Sequence, residues 1–379
     1  MAGMTVCLRG WHVPLAQAES AALIPSVKLV PISPRLLYSE EELSVTQMNQ
    51  VLACSSGIQC FLKDSISTTF SQVNMESFLE KIKPMIETFQ ERGSIAVRSL
   101  RIAGKISNFS TKSMAGKIGS IAKDCGFTVN LNNPDYELGL VADASEDIIA
   151  CGWLIGDFDD SIGTASRRAT ERPFFRPISL DPRLARLAVN LACGPVDNRA
   201  ILDPMTGTGG FAMEAITMGR NCIALDLDEG MVKGAKENIK WSLSGQNSDS
   251  NYIVQVGDAG ELKSHVQAKW HGSISGLVLD PPYGRNSHGS HSHFELIKRT
   301  INSAKQIMSK SGKMVLILPV VPGENDKQAL SNTQLLHGEW DEFLEILDQC
   351  QVDLKGKWIE HVHSSLSRLI LLASISPQD

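Results

Sequence analysis

The chain has 379 residues, of which 42% are hydrophobic and 21% charged, with a formal net charge of −6. Such a length predicts two or three domains rather than one, and the composition is globular, with no apolar run long enough to span a membrane. The first ten residues lack the charged and apolar regions of a signal peptide. The eight cysteines, scattered from Cys7 to Cys350, include no Cys-x-x-Cys pair, which argues against a zinc ribbon or a disulfide framework and for reduced thiols in the cytoplasm.

Residues 1–69 read as a small α+β unit of short strands (Thr5 to Leu8, Val27 to Val30, Ile58 to Leu62) and one helix (Ala16 to Ile24), punctuated by Pro25, Pro31 and Pro34. Asn74 to Arg92 is an amphipathic helix by its stripe of Phe78, Ile82, Met85, Ile86 and Phe89, with a kink or break expected at Pro84. Ser94 to Ile102 is a strand. From Arg92 to Lys123 the sequence holds seven basic residues (Arg92, Arg98, Arg101, Lys105, Lys112, Lys117 and Lys123) and no acid. In an acidic chain that interval reads either as a phosphate-facing surface or as a solvated helix face with a loop. Strands at Val129 to Leu131, Leu138 to Ala142 and Ile148 to Ile155 close this part. Residues 157–177 are a linker by composition, and its Arg167, Arg168, Arg172 and Arg176 are further candidates for nucleic-acid contact.

From Ala200 onward, strands alternate with helices, which predicts a doubly wound parallel sheet. The expected strands are Ala200 to Leu202, Asn221 to Leu225, Tyr252 to Val256, Ile274 to Leu279 and Lys313 to Leu318. The expected helices are Asp181-Pro182 to Leu191, Gly210 to Met218, Glu229 to Trp241 and His293 to Met308. Trp358 to His363 and Arg368 to Ser374 form a hairpin.

Acids mark the ends of four of these strands. Asp203-Pro204-Met205-Thr206-Gly207-Thr208-Gly209-Gly210 carries glycines that let a backbone approach a ligand and turn into a helix. An acid ahead of those glycines repels phosphates and suits a cationic ligand, such as the amino-acid end of S-adenosylmethionine. Asp226, one strand later, is placed to bind ribose hydroxyls, and Asp258-Ala259 to meet an adenine amino group. Asp228 reads equally as a helix N-cap. At the fourth strand end, Asp280-Pro281-Pro282-Tyr283 leaves the sheet because neither proline continues a ladder. Asp280 and the Pro281 carbonyl can accept both protons of an exocyclic base amine while Tyr283 stacks on the ring; the same turn also reads as a helix cap.

These segments resemble a known family. Asp203 to Phe211 and Asp280 to Gly284 look like the first and fourth motifs of class I amino-methyltransferases. Arg172 to Pro177, Asp181 to Arg186, Asn190-Leu191-Ala192 and the tail His363 to Arg368 are similar to the tRNA guanosine-10 N2-methyltransferase family. The resemblance implies a ferredoxin-like unit (1–69), a THUMP RNA-binding domain (70–156), the linker (157–177) and a Rossmann-like methyltransferase domain (178–379). It implies S-adenosylmethionine as cofactor, tRNA as partner, and N2-methylguanosine as product, with a small activating subunit as a further expectation. By this reading Asp280, Pro281, Pro282 and Tyr283 are catalytic. Pro177, Asp203, Thr206, Gly207, Thr208, Gly209, Asp226, Asp258 and Ala259 hold the cofactor. Arg98, Arg101, Lys105, Lys112, Lys117, Arg172 and Arg176 hold tRNA, and no metal is expected. The alternatives are a DNA adenine or cytosine amino-methyltransferase, a THUMP enzyme for another tRNA guanosine, and a non-catalytic RNA-binding subunit. His288, His291 and His293 depart from the family pattern and read as a metal site or a substrate-side loop.

Overall fold

The structure, a computed structural model, describes residues 3–70, 75–158, 167–176, 179–244, 250–282 and 289–376, the side chains of 289–292 excepted. The chain divides into two compact units, Met1–Asp160 and Ser161–Asp379. Among the described residues no helix is long and apolar enough to cross a membrane.

The first unit contains β1 (Gly3–Leu8), α1 (Val13–Leu23), β2 (Val30–Ser33), β3 (Leu36–Ser39), α2 (Val45–Cys54), β4 (Ile58–Thr69), α3 (Met75–Glu87), β5 (Ser94–Ile102), α4 (Thr111–Asp124), β6 (Thr128–Val129), β7 (Tyr136–Asp143) and β8 (Ile148–Gly156). One eight-stranded sheet, ordered β2-β3-β1-β4-β8-β7-β5-β6, runs through all of it. The junction expected near residue 69 falls between β4 and α3, yet β4 pairs antiparallel with β8, so the sheet is continuous across it. Pro84 does not end α3: Thr88 N still donates to Pro84 O at 3.0 Å, and the apolar stripe Phe78, Ile82, Met85 and Ile86 is buried. The basic interval spans β5 and, after a loop, the helix α4. In α4 the i, i+4, i+8 residues Met114, Ile118 and Ala122 are buried, which turns Lys112 and Lys117 to solvent.

The second unit contains α5 (Pro182–Cys193), β9 (Ala200–Asp203), α6 (Gly210–Thr217), β10 (Asn221–Asp226), α7 (Glu229–Ser242), β11 (Tyr252–Val256), α8 (Leu262–His265), β12 (Ile274–Leu279), α9 (Gly289–Lys305), β13 (Met308–Val320), α10 (Asp326–Ser331), α11 (Trp340–Gln349), β14 (Val352–His363) and β15 (Leu366–Ile375). Its sheet is ordered β11-β10-β9-β12-β13-β15-β14. The first five strands in that order are mutually parallel, and the β14–β15 hairpin adds an antiparallel edge. Strand order reverses between β9 and β12, and a ligand crevice is expected outside their carboxyl ends. Ala200, Leu202, Leu277, Leu279, Leu316, Leu318, Leu369 and Leu371 pack with Phe294 and Ile297 of α9 on one face. Their alternation with Ile201, Val278, Ile317 and Ile370 sends those residues to the face covered by α5.

Residues 167–176, expected within a linker, are strapped to the second unit instead. Arg167 Nε lies 2.8 Å from Glu214 Oε1 of α6, and the backbone of Phe174 is held by Asn238 of α7.

Candidate active site

The carboxyl ends of β9, β10, β11 and β12 surround a cavity of about 570 Å³, within the roughly 300–1,000 Å³ range of small-molecule sites. Its floor is the loop after β9. Gly207 and Gly209 take φ of +51° and +81°, a region that side chains strain, and a Cβ on Gly209 would sit 3.1 Å from Ala235 Cβ. Three bonds fix the loop: Thr206 Oγ1 donates to Asp203 Oδ2 at 2.7 Å, Gly207 N to Asp226 Oδ2 at 2.8 Å, and Asn238 Nδ2 to Thr208 O at 2.8 Å.

Asp203 lies behind this loop, buried, rather than on the cavity wall. Its Oδ1 is buried with no hydrogen-bond partner among the described residues. Burial, reinforced by the negative charges of Asp226 and Asp280, pushes its carboxyl up to about 7 against the pull of the Thr206 and Met205 hydrogen bonds. A carboxylate so placed gains most from a cation.

The other strand-end acids are already partly engaged. Asp226 lines the cavity while accepting from Gly207 N and, through Oδ1, from Asp228 N at 3.0 Å. Asp228 is the N-cap of α7, accepting from Gly230 N at 2.6 Å and Met231 N at 3.3 Å, and also lines the cavity. Asp258 accepts from Gly260 N at 2.7 Å and meets Arg299 Nη2 at 3.3 Å; Ala259 is beside it on the wall. Thr206, Gly207 and Thr208 line the cavity and Gly209 does not. Pro177 and Tyr283 lie outside the described residues.

Asp280 follows β12 at the cavity's far side, with Pro281 and Pro282. Its Oδ1 is also buried and unpartnered among the described residues. Burial raises its carboxyl to about 7, with Arg368 pulling down and Glu360 pushing up. The cavity therefore has a cation-seeking acid beneath one end and a proton-accepting acid at the other. Between them Leu180, Met205, Phe211, Leu227, Met231 and Leu296 form an apolar wall, suited to a purine and a thioether. The sequence reading missed these six. Met205 and Phe211 lie inside the Asp203 to Phe211 segment, whereas nothing in the sequence marks Leu227, directly after Asp226, as the large apolar side chain left 74% exposed.

The expected RNA contacts fall into two groups. Arg101, Lys105, Lys112 and Lys117 are exposed, whereas Arg98 Nε is paired with Glu137 Oε1 at 2.7 Å. Arg92 bonds the Cys125 carbonyl and covers Phe127. Arg176 lines the cavity and stacks on Phe174, its Cζ 4.4 Å from the ring centroid. Arg172 is a correction: it is 4% exposed, donating Nε to Arg167 O at 3.0 Å, and is drawn inward by Glu214. It offers nothing to a phosphate from solvent.

His288 lies outside the described residues, as does the side chain of His291. His293 is buried with its ring 5.6 Å from that of His337; burial, with His337, lowers it to about 4. Among the described residues no group of three His, Cys, Asp or Glu side chains could hold a metal. Asp326, His361 and Ser367 form a hydrogen-bonded row (2.7 and 2.9 Å). Ser367 is fully buried, so the row braces the hairpin and is not a hydrolytic triad.

The sheet order, with a glycine loop at its switch point, places the second unit among class I methyltransferases, which use S-adenosylmethionine. A family model described as an RMKL-like methyltransferase domain matches residues 169–323. The tRNA (guanine(10)-N2)-dimethyltransferase of Pyrococcus abyssi is 32% identical over 262 residues, 68% of this chain and 67% of that protein. Its namesake in Methanothermobacter thermautotrophicus is 30% identical over 60% of this chain and 63% of that protein. A tRNA (guanine(6)-N2)-methyltransferase of Archaeoglobus fulgidus is 24% identical over 64% of this chain and 65% of that protein. The chain belongs to the tRNA (guanine(10)-N2)-methyltransferase family and spans about two thirds of the length of these relatives.

Proposed function

We propose that this chain methylates the exocyclic N2 of a guanosine in tRNA, at position 10, using S-adenosylmethionine. The observation that carries the reading is the pair of buried, unpartnered carboxylate oxygens, Asp203 Oδ1 and Asp280 Oδ1, at opposite ends of one apolar-walled cavity. When bound, S-adenosylmethionine supplies a methyl group already activated by sulfonium charge. The residues present fit it. Asp203 lies behind the loop for the ammonium, Asp226 retains lone pairs for ribose hydroxyls, and Leu227, Met231 and Ala259 flank a purine.

Asp280 then orients the target amine. A guanine N2 is a poor nucleophile because its lone pair is delocalised into the ring. Hydrogen bonds from its two protons to Asp280 and to the Pro281 carbonyl hold it pyramidalised toward the methyl, and Asp280 takes the released proton. Positioning supplies much of the rate, since no covalent intermediate is needed. Tyr283 stacks on the base in this reading. The guanine must leave its stack to enter, at a cost of about a few kcal/mol. We read 1–69 as the ferredoxin-like unit and 70–156 as the THUMP domain that holds tRNA through Arg101, Lys105, Lys112 and Lys117, in the cytoplasm.

The test is nucleoside mass spectrometry of a tRNA transcript incubated with the purified chain and labelled cofactor. N2-methylguanosine, with or without the dimethylated form, is expected, and it should vanish when residue 10 of the transcript is not guanosine. Turnover only after a small protein activator is added would make that subunit a required partner. Asp280→Ala should keep cofactor binding and lose turnover on the order of 10³-fold. Methyladenosine or methylcytosine as the product, or near-wild-type turnover in Asp280→Ala, overturns the reading.

A further inference from the structure

The tail His363 to Arg368 is not used by the mechanism above, yet it ends on a buried cation at the catalytic corner. Arg368 is on β15, paired in register with Pro319 of β13 and with Glu360 of β14. Its Nη1 meets Glu360 Oε2 at 3.3 Å, and it is only 8% exposed. Its Nε is buried with no partner among the described residues.

Strand alternation fixes which way these groups face. Leu369, Leu371, Ile359, Leu279 and Leu202 belong to the core on the α9 side. Their neighbours Arg368, Glu360, Asp280 and Asp203 therefore all point to the opposite face, at the same carboxyl end of the sheet. The order along the sheet is Asp203 (β9), Asp280 (β12), Arg368 (β15), Glu360 (β14), with Ile317 and Pro319 of β13 between the second and third. An unpartnered acceptor, Asp280 Oδ1, and an unpartnered donor, Arg368 Nε–H, thus share one buried strip.

We propose that Arg368, anchored by Glu360, is a positioning residue that serves as the fixed counter-cation of Asp280 and favours its charged form, the form able to accept the substrate's N–H. The proposal rests on the functional reading above for what Asp280 accepts, though not for the charge relationship itself. On α5, which packs against β12 and β13, Arg183 pairs with Asp181 and Arg186 with Glu214. Asp203 adds a negative charge from β9, and Asp226 bears on Asp203. Arg368 is the cation whose charge bears on Asp280, and Glu360 opposes it.

The test reads Asp280 directly. In protein carrying 13C at its aspartate carboxyls, the Asp280 signal is assigned by its loss in Asp280→Asn and titrated by NMR without substrate. Arg368→Met should raise its proton affinity about tenfold, Arg368→Lys should stay near wild type, and Glu360→Gln, which can still accept from Arg368, should shift it the opposite way. The acidic limb of kcat/KM for tRNA should move in the same directions, with cofactor Kd unchanged. An Asp280 titration unmoved by Arg368→Met, or a uniform loss of activity with no change in the pH profile, overturns the proposal. Should Arg368→Met not fold, Glu360→Gln decides: an unmoved or raised titration defeats it. If the wild type methylates no tRNA, the functional reading fails while the titrations still test the pairing.

Discussion

The side-chain amide of Asn238 holds Phe174 by both of its backbone groups: Oδ1 accepts from Phe174 N at 2.9 Å, and Nδ2 donates to Phe174 O at 2.8 Å. The same Nδ2 also reaches Thr208 O at 2.8 Å. One fully buried side chain on α7 thus ties the 167–176 strap to the glycine loop that floors the cavity. Gly234, one turn earlier, completes the seat, because a Cβ there would overlap the Phe174 ring.

Asn238→Ala is therefore expected to leave three backbone groups short of partners and to destabilise the second unit by about 3 kcal/mol. Its thermal midpoint should fall and its affinity for S-adenosylmethionine weaken together. Asn238→Asp should do nearly the same, since a carboxylate accepts from Phe174 N but donates to neither carbonyl. Calorimetry and cofactor titration check both.

The two raised carboxyls make stability depend on pH in an unusual direction. Asp203 and Asp280 titrate near 7 in the folded chain, against about 4 when unfolded. The folded state therefore binds more protons across that window, and stability falls as pH rises from about 4 through about 7. Thermal midpoints of the cofactor-free protein should drop between pH 5 and pH 8. Asp203→Asn should flatten much of that drop and raise the midpoint at pH 8 while weakening cofactor binding. A midpoint rising with pH over this window would contradict the burial of both groups.

Why some of this was readable and some not follows from how far each signal reaches. The bounds of β11 and β12 are legible because apolar runs stop at Gly257 and at Asp280-Pro281-Pro282, and proline cannot carry a ladder on. Asp228 as an N-cap is local too. By contrast, α2 went unread although Ser44 and Gln47 form a capping box, and α4 was masked by serines and glycines around its three buried residues. The burial of Arg172 depends on Glu214, 42 positions away in sequence, and the Arg368–Asp280 relationship on register across β13. Neither has a local sequence signature, so charge alone suggested a surface role for Arg172 that the packing denies.

Glu214 tests that packing. It is fully buried and meets Arg167 Nε and Arg186 Nε at 2.8 Å each, and its charge also favours the charged form of Arg172, which burial disfavours. Glu214→Gln removes the countercharge and leaves a cluster of arginines held together in a buried place. The expected cost is about 3–5 kcal/mol, seen as a lower urea midpoint for the second unit. Arg172→Leu in that background should recover part of it.

The last expectation concerns how tRNA is held. Lys105, Lys112 and Lys117 are exposed, and among the described residues none makes an ion pair in the structure. Arg98, in the same acid-free interval, is already answered by Glu137. The three lysines, with the exposed Arg101, therefore carry free charge, and each phosphate they neutralise would release counterions. Reversing all three to glutamate should weaken tRNA binding strongly and flatten the slope of log K against log salt by about two to three. Arg98→Gln should change that slope little, because its charge is already compensated. Cofactor affinity should be untouched, since every cavity residue lies in the second unit. If the triple variant binds tRNA as tightly and with the same slope, α4 is only a solvated face. Arg176, at the cavity rim on Phe174, would then be the next residue to reverse.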